Sequence, residues 1–288
     1  ALLAIVMCVA TVQAQNATSG ATGSLTWKYD TGTKTLTFSG KGEMPNYTWE
    51  HRAPWEEHLK TVKLVVFKDG VTGIGDYAFF EAVKLDSVKL PNTLKRIGGW
   101  AFETCYNLRL TRLPDKVQEI GQSAFNACSK VALPTLPSDL QKIGNGAFLW
   151  CGGMASVTIP AGVTEIGRGA FANCENLTAI NVAAENAHYI SEDGILFNKE
   201  KTELVQYPAG RSGTSYPIPS EVKSIGNDAF NGANQLTSMS IQQGVERIGE
   251  WAFANCKSLT ETTISSTVKT IGELAFIGCN ALTKIQVD

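Results

Sequence analysis

The sequence predicts a solenoid, a coil stacking a parallel β-sheet along one face and short helical or 3₁₀ turns along the other. Three observations carry this. First, Ile-Gly-x-x-Ala-Phe occurs eight times in 288 residues, starting at Ile74, Ile97, Ile120, Ile143, Ile166, Ile225, Ile248 and Ile271. Second, the step is 23 residues, except that Ile166 and Ile225 stand 59 apart, one step with 36 residues added. Third, each hexad follows a short apolar run in which two positions share one face of a strand, as in Val65 and Phe67, Val88 and Leu90, or Val157 and Ile159.

Taken in chain order, residues 1–14 (ALLAIVMCVATVQA) carry no charge, and Val12 and Ala14 stand where a signal peptidase requires small residues. They read as the core and cleavage site of a partial secretory signal peptide; a buried N-terminal strand is the other reading. Residues 15–61 read as an N-terminal cap. Leu25, Trp27 and Tyr29 alternate, residues 30–34 turn, and Leu36 and Phe38 return, which describes a β-hairpin. Trp49 and Trp55 follow. A solenoid must cover its apolar end, so these aromatics read as a lid, with a binding platform as the alternative.

The solenoid spans residues 62–288. In each coil the strand is closed by proline (Pro91, Pro114, Pro137, Pro160, Pro219), which lacks the N–H that a ladder needs. Lys68, Gln242 and Ser265 replace that proline, and Thr111 and Pro134 stand inside expected strands, weakening those rungs. The glycine after each Ile is expected to take a turn conformation that a β-carbon would strain. Ala-Phe then sits on a short turn with its Phe inward. The period is interrupted at about 183–217, where a second hairpin is expected from residues 195–197 and 204–207. That insertion reads as a bulge that re-aims the rod or as a recognition element. The run from Leu282 to Val287 is strand-like up to Asp288, an expectation that the natural chain continues.

Composition narrows the chemistry. Charged residues are 18% and the net charge is −2, against nucleic-acid binding. No apolar run is long enough for a transmembrane span. Cys105, Cys128, Cys151, Cys174, Cys256 and Cys279 each lie three residues after a repeat Phe, a slot filled by Ala82 and Ala233 in other coils. A slot that accepts alanine asks for a small buried residue. Stacked β-carbons also run parallel, whereas a disulfide needs them converging near ~3.8 Å. A ladder of reduced thiols is expected. His51, His58 and His188 follow no pattern, and no catalytic, cofactor-binding or metal-binding set is expected.

The frame Leu-x-x-Val-x-Leu-Pro from Leu85 to Pro91, with Ile97-Gly98, Ala101-Phe102 and Cys105, resembles the leucine-rich repeats of the BspA-like group of secreted surface proteins. The resemblance covers roughly residues 62–287. Gly23 to Trp27, Leu36 to Met44, Asp193 to Phe197 and Tyr216 to Pro219 look like segments of the same group. It implies a right-handed leucine-rich repeat coil on a bacterial or protist surface, with roles in adhesion to host proteins or other cells.

Residues between the core positions of each strand are expected to face outward. They form two columns, a ribbon of Ser and Thr with a few Leu and two basic residues. Leu64, Lys89, Leu110, Arg112, Leu133, Thr135 and Thr158 make the candidate partner-binding face. An extracellular or host surface protein is the expected partner. A passive spacer carrying a further C-terminal domain is the alternative.

Overall fold

The computed structural model describes residues 17–288; the expected signal peptide, 1–14, lies outside the described residues. The chain forms a β-solenoid, and each coil has three sides. On the first side a parallel ladder repeats every 23 residues. Leu64 pairs with Ser87, Ser156 with Ala179, Ser238 with Glu261, and Glu261 with Lys284. On the second side two-residue strands stack just before each repeat glycine, Arg96–Ile97 on Glu119–Ile120, then Lys142–Ile143, then Glu165–Ile166. Charges of opposite sign face one another along this ladder, with Lys142 Nζ 2.9 Å from Glu165.

The third side carries the short turns, built without regular helix; the only α-helix among the described residues is Glu56–Leu59, in the cap. Two slots per coil have positive φ. One is filled by Tyr77, Trp100, Ser123, Gly146, Gly169, Asp228, Trp251 and Leu274, and the other includes Glu81, Thr104, Ala127, Trp150, Asn173 and Asn255. A left-handed residue at the third place of a four-residue turn ends any helix and closes a turn instead. Ala78 N–H accordingly donates to Gly75 O, and Ala82 N–H to Phe79 O. The intervening N–H groups of Tyr77, Phe79 and Glu81 reach the next coil, to the carbonyls of Gly99, Ala101 and Glu103. Alternate backbone donors are thus satisfied within a coil and between coils.

The repeat glycines serve a different purpose from the one expected. None of the eight has positive φ. They are glycine because coils touch there. A β-carbon on Gly121 would lie 2.5 Å from Gly99 N and 2.7 Å from Gly98 C, and one on Gly144 would lie 2.4 Å from Gln122 N. Both obstacles are backbone, which cannot rotate away.

Inside, the phenylalanines stack. Phe79, Phe102, Phe125, Phe148 and Phe171 are fully buried, with ring centroids 5.2–5.6 Å apart and planes within 11°. A second column runs Tyr207, Phe230, Phe253 and Phe276 at 4.9–5.1 Å. Tyr207 takes a phenylalanine's place there, and its N–H donates to Ala229 O as Phe79 N–H does to Ala101 O. The thiols lie beside these columns as an unbridged ladder. Each Sγ–H donates to the carbonyl of the Phe 26 residues earlier: Cys105 to Phe79 at 3.3 Å, Cys128 to Phe102 at 3.0 Å, Cys256 to Phe230 at 3.2 Å. At the alanine slot of Ala233 the corresponding carbonyl, Tyr207 O, instead accepts from Gln206 Nε2 at 3.3 Å. Burial pushes the Cys174 thiol up to about 12.

At the amino end, Leu25–Asp30 and Thr35–Gly40 form the expected hairpin, joined by Ser19–Thr22. Thr35–Gly40 then runs parallel to Leu64–Phe67, so the hairpin continues the first ladder. Trp55 is fully buried over this end, donating Nε1–H to Ala78 O at 2.8 Å and meeting Phe38 edge-on at 4.7 Å. His58 is only partly exposed and stacks on Tyr29 at 4.2 Å. Trp49 is 59% exposed, so it lies beside the lid, edge-on to Phe80.

The interruption is a three-stranded antiparallel meander, one strand more than expected: Tyr189–Glu192, Ile195–Asn198 and Glu203–Gln206. Its last strand resumes the second ladder against Ser224–Ile225. Its middle strand is buried on both faces. Leu196 joins the apolar core that precedes it, while Ile195 and Phe197 join the core that follows.

Four outcomes follow from this packing. Gly121→Ala should lower stability by about 1–3 kcal/mol through overpacking, measured by chemical denaturation. Leu274→Gly, at a half-exposed left-handed slot that glycine fills elsewhere, should change it by less than about 1 kcal/mol. A chain beginning at Gln15 should titrate six thiols when unfolded without reductant. In the native state Cys279, the only one of the six not fully buried, should react first.

Candidate partner-binding face

The first ladder is not continuous. Ser87–Lys89 pairs with Leu64–Phe67, and Ser156–Ile159 with Ala179–Val182, but the two coils between form no strand. A single bridge, Thr135 with Thr158, crosses this gap. The cause is local. In these coils the residues due to point inward are Thr111 and Pro134, one polar and one without an N–H. The core takes Leu110 and Leu133 in their place. Leu110 is 6% exposed and Leu133 is fully buried, while Thr111 and Pro134 turn out to solvent. The inward leucines of these coils, Leu110 with Leu113 and Leu133 with Leu136, stand three residues apart instead of two, which breaks the period of two and the ladder with it.

This corrects the expected face. Leu110 and Leu133 belong to the core; Leu133 offers a partner no surface, and Leu110 only a sliver of groove wall. Of the remaining five residues, Lys89, Arg112 and Thr135 are exposed, and Leu64 and Thr158 are half-buried. The strand period places Leu110 and Leu133 in the outward column with Leu64, and only the poor fit of Thr111 and Pro134 to a core position hints at the shift.

The gap gives the face its chemistry. The backbone N–H groups of residues 110–113 donate to no other residue among those described. At a strand these donors would bond the neighbouring coil; here those of the exposed Thr111 and Arg112 are left to solvent or to a partner. Beside them runs a groove of about 320 Å³, lined by Val88, Leu90, Leu110, Arg112, Leu113 and Pro114. A hollow of about 270 Å³ adjoins it around Thr111, Pro134 and Ala155. Arg112 reaches Asp115 at 3.0 Å but keeps 77% of its side-chain surface exposed. Among the described residues Lys89, on the same face, forms no ion pair. The rim residues Asn92 and Asp115 were not singled out by the repeat, because both lie in the loops that follow the strands. Among the described residues no group of three or more His, Cys, Asp or Glu could hold a metal ion. No helix among them is long and apolar enough to cross a membrane.

Known proteins place this architecture. The solved leucine-rich repeat protein of Eubacterium ventriosum ATCC 27560 is 30% identical, with a TM-score of 0.83 over 93% of this chain and 70% of its own. Two others share the fold at lower identity. A leucine-rich cell surface protein of Faecalibacterium prausnitzii A2-165 is 22% identical, with a TM-score of 0.52 over 95% of both chains. The pneumococcal vaccine antigen PcpA is 19% identical, with a TM-score of 0.56 over 93% of this chain and 81% of its own. No curated protein matches the chain. The BspA type leucine rich repeat region matches in six copies over residues 57–193 and 209–288. With its phenylalanine columns and its 23-residue coils accounted for, the chain belongs to the BspA-type leucine-rich repeat family.

Proposed function

We propose that this chain is a secreted or surface-displayed binding protein that adheres to an extracellular protein of a host or a neighbouring cell. The observation that carries the reading is the break in the first ladder. A continuous sheet offers a partner only side chains. This one also offers unpaired backbone donors at Thr111 and Arg112, flanked by an apolar groove and by the cations of Lys89 and Arg112. An extended acidic segment would find both backbone hydrogen-bond partners and charge complementarity there. Family membership and the signal-like segment at 1–14 support export. A spacer would need no such interruption.

The side chains separate into two groups with different behaviour. Leu110→Ala should cost about 2–5 kcal/mol of stability, because it empties a core site. Lys89→Glu and Arg112→Glu should leave stability within about 0.5 kcal/mol. Surface-immobilised extracellular-matrix proteins provide the binding test. The wild-type chain should be retained, and the double charge reversal should weaken retention by about tenfold or more. Retention that is unchanged by the reversal would place the contact elsewhere on the molecule.

A further inference from the structure

The turn side holds a second hollow, on a different face of the coil from the broken ladder and independent of it. Its volume is about 420 Å³, within the ~300–1,000 Å³ typical of small-molecule sites. It opens where the first left-handed slot loses its side chains. That slot carries Tyr77 and Trp100 in earlier coils, stacked at 4.9 Å, and Trp251 and Leu274 in later ones. Between them stand Ser123, Gly146 and Gly169, which form the floor. Gly146 is not there for lack of room, since a β-carbon would make only ordinary contacts of 3.5–3.8 Å. Nor does its φ of +58° demand glycine, since tryptophan holds the same slot at +53° and +56°. Its effect is to leave space.

The walls combine two kinds of group. Trp150 and Trp251 line the hollow with 41% and 36% of their surfaces exposed, and among the described residues neither ring stacks on another aromatic. Both hold left-handed backbone, which is unfavourable for an L-residue. Little burial offsets that cost. The second kind is a set of oriented amides around one carboxylate. Asn231, buried, donates to Asp228 Oδ1 at 2.7 Å and itself accepts from Asn173 and, at 3.0 Å, from Asn255. This chain fixes the Asp228 carboxylate against the floor, with Oδ2 bonded to no other residue among those described. Asn145 Oδ1 accepts the backbone N–H of Arg168 at 3.1 Å, leaving its amide hydrogens free. Arg168 is tied to Glu250 at 2.7 Å, so the lining offers hydrogen bonds in place of a strong net charge.

On this side the coils meet in spite of the insertion. Asn173 N–H donates to Asn231 O across 58 residues, so the coil of Phe171 lies directly against the coil of Phe230 on this side. Exposed indoles supply a flat apolar surface. Fixed amides and a lone carboxylate oxygen supply paired donors and acceptors. That combination suits a ligand with C–H faces and a rim of hydroxyls, and no strong charge. We propose that this hollow is a binding site for a neutral carbohydrate, with a sugar ring against Trp150 or Trp251 and hydroxyls shared between Asp228 and the asparagine amides.

The test is a titration of the full chain with maltotriose, cellotriose and N,N′-diacetylchitobiose, followed by the indole N–H resonances and by saturation-transfer NMR. At least one sugar should shift the Trp150 and Trp251 resonances below about 10 mM. Trp150→Ala and Trp251→Ala should each weaken binding about tenfold or more. Gly146→Tyr restores the side chain that Tyr77 carries at this slot. It should abolish binding while leaving the melting temperature near that of the wild type, which separates a blocked site from a misfolded one. The proposal is overturned if no sugar of the three moves either resonance, if the shifts map to Trp49 alone, or if folded Gly146→Tyr binds as the wild type does.

Discussion

Everything in this molecule depends on how closely one coil can approach the next. The distance is set on the turn side, where backbone rests on backbone at the repeat glycines and alternate N–H groups cross between coils. That contact fixes a rise near 5 Å, which is also the spacing of parallel strands and of stacked rings. Because all three sides share one rise, strand ladders, ring columns and thiol ladder stay in register. A β-carbon at any of these contacts would wedge two coils apart on one side and tilt the remainder of the stack.

The periodic part of this design is legible in the amino-acid order. Ile, Ala and Phe recur at fixed places, and their spacing alone requires stacking. The hairpin at 25–39 is legible for the same reason, since its alternation matches a strand. What lies outside that reach is whatever depends on neighbours one coil away. The repeat glycines look like turn residues in isolation; only the adjacent backbone shows that they are contact residues. Leu110 and Leu133 fit an outward column by arithmetic, and the core claimed them because Thr111 and Pro134 could not fill it. Tyr189–Glu192 has too little alternation to announce a strand, and it forms one because Ile195–Asn198 lies beside it.

The candidate sites were legible to different degrees. Lys89, Arg112 and Thr135 could be placed on the exposed face from the strand period alone. The free backbone donors beside them could not, because they arise from a failure of that period. The hollow on the turn side joins residues far apart in the chain, Trp150 with Trp251. No spacing rule that treats the two repeat blocks separately would bring Asp228 to Gly169.

The middle strand of that insertion, Ile195–Asn198, has a mechanical meaning. With Leu196 in one core and Ile195 and Phe197 in the other, it acts as a bulkhead between two apolar compartments. Interactions in a stacked array are largely between nearest neighbours, so such a wall divides the rod into two cooperative blocks. Force applied along the rod, as on a protein tethered in flow, would open one block while the wall keeps the interior of the other dry.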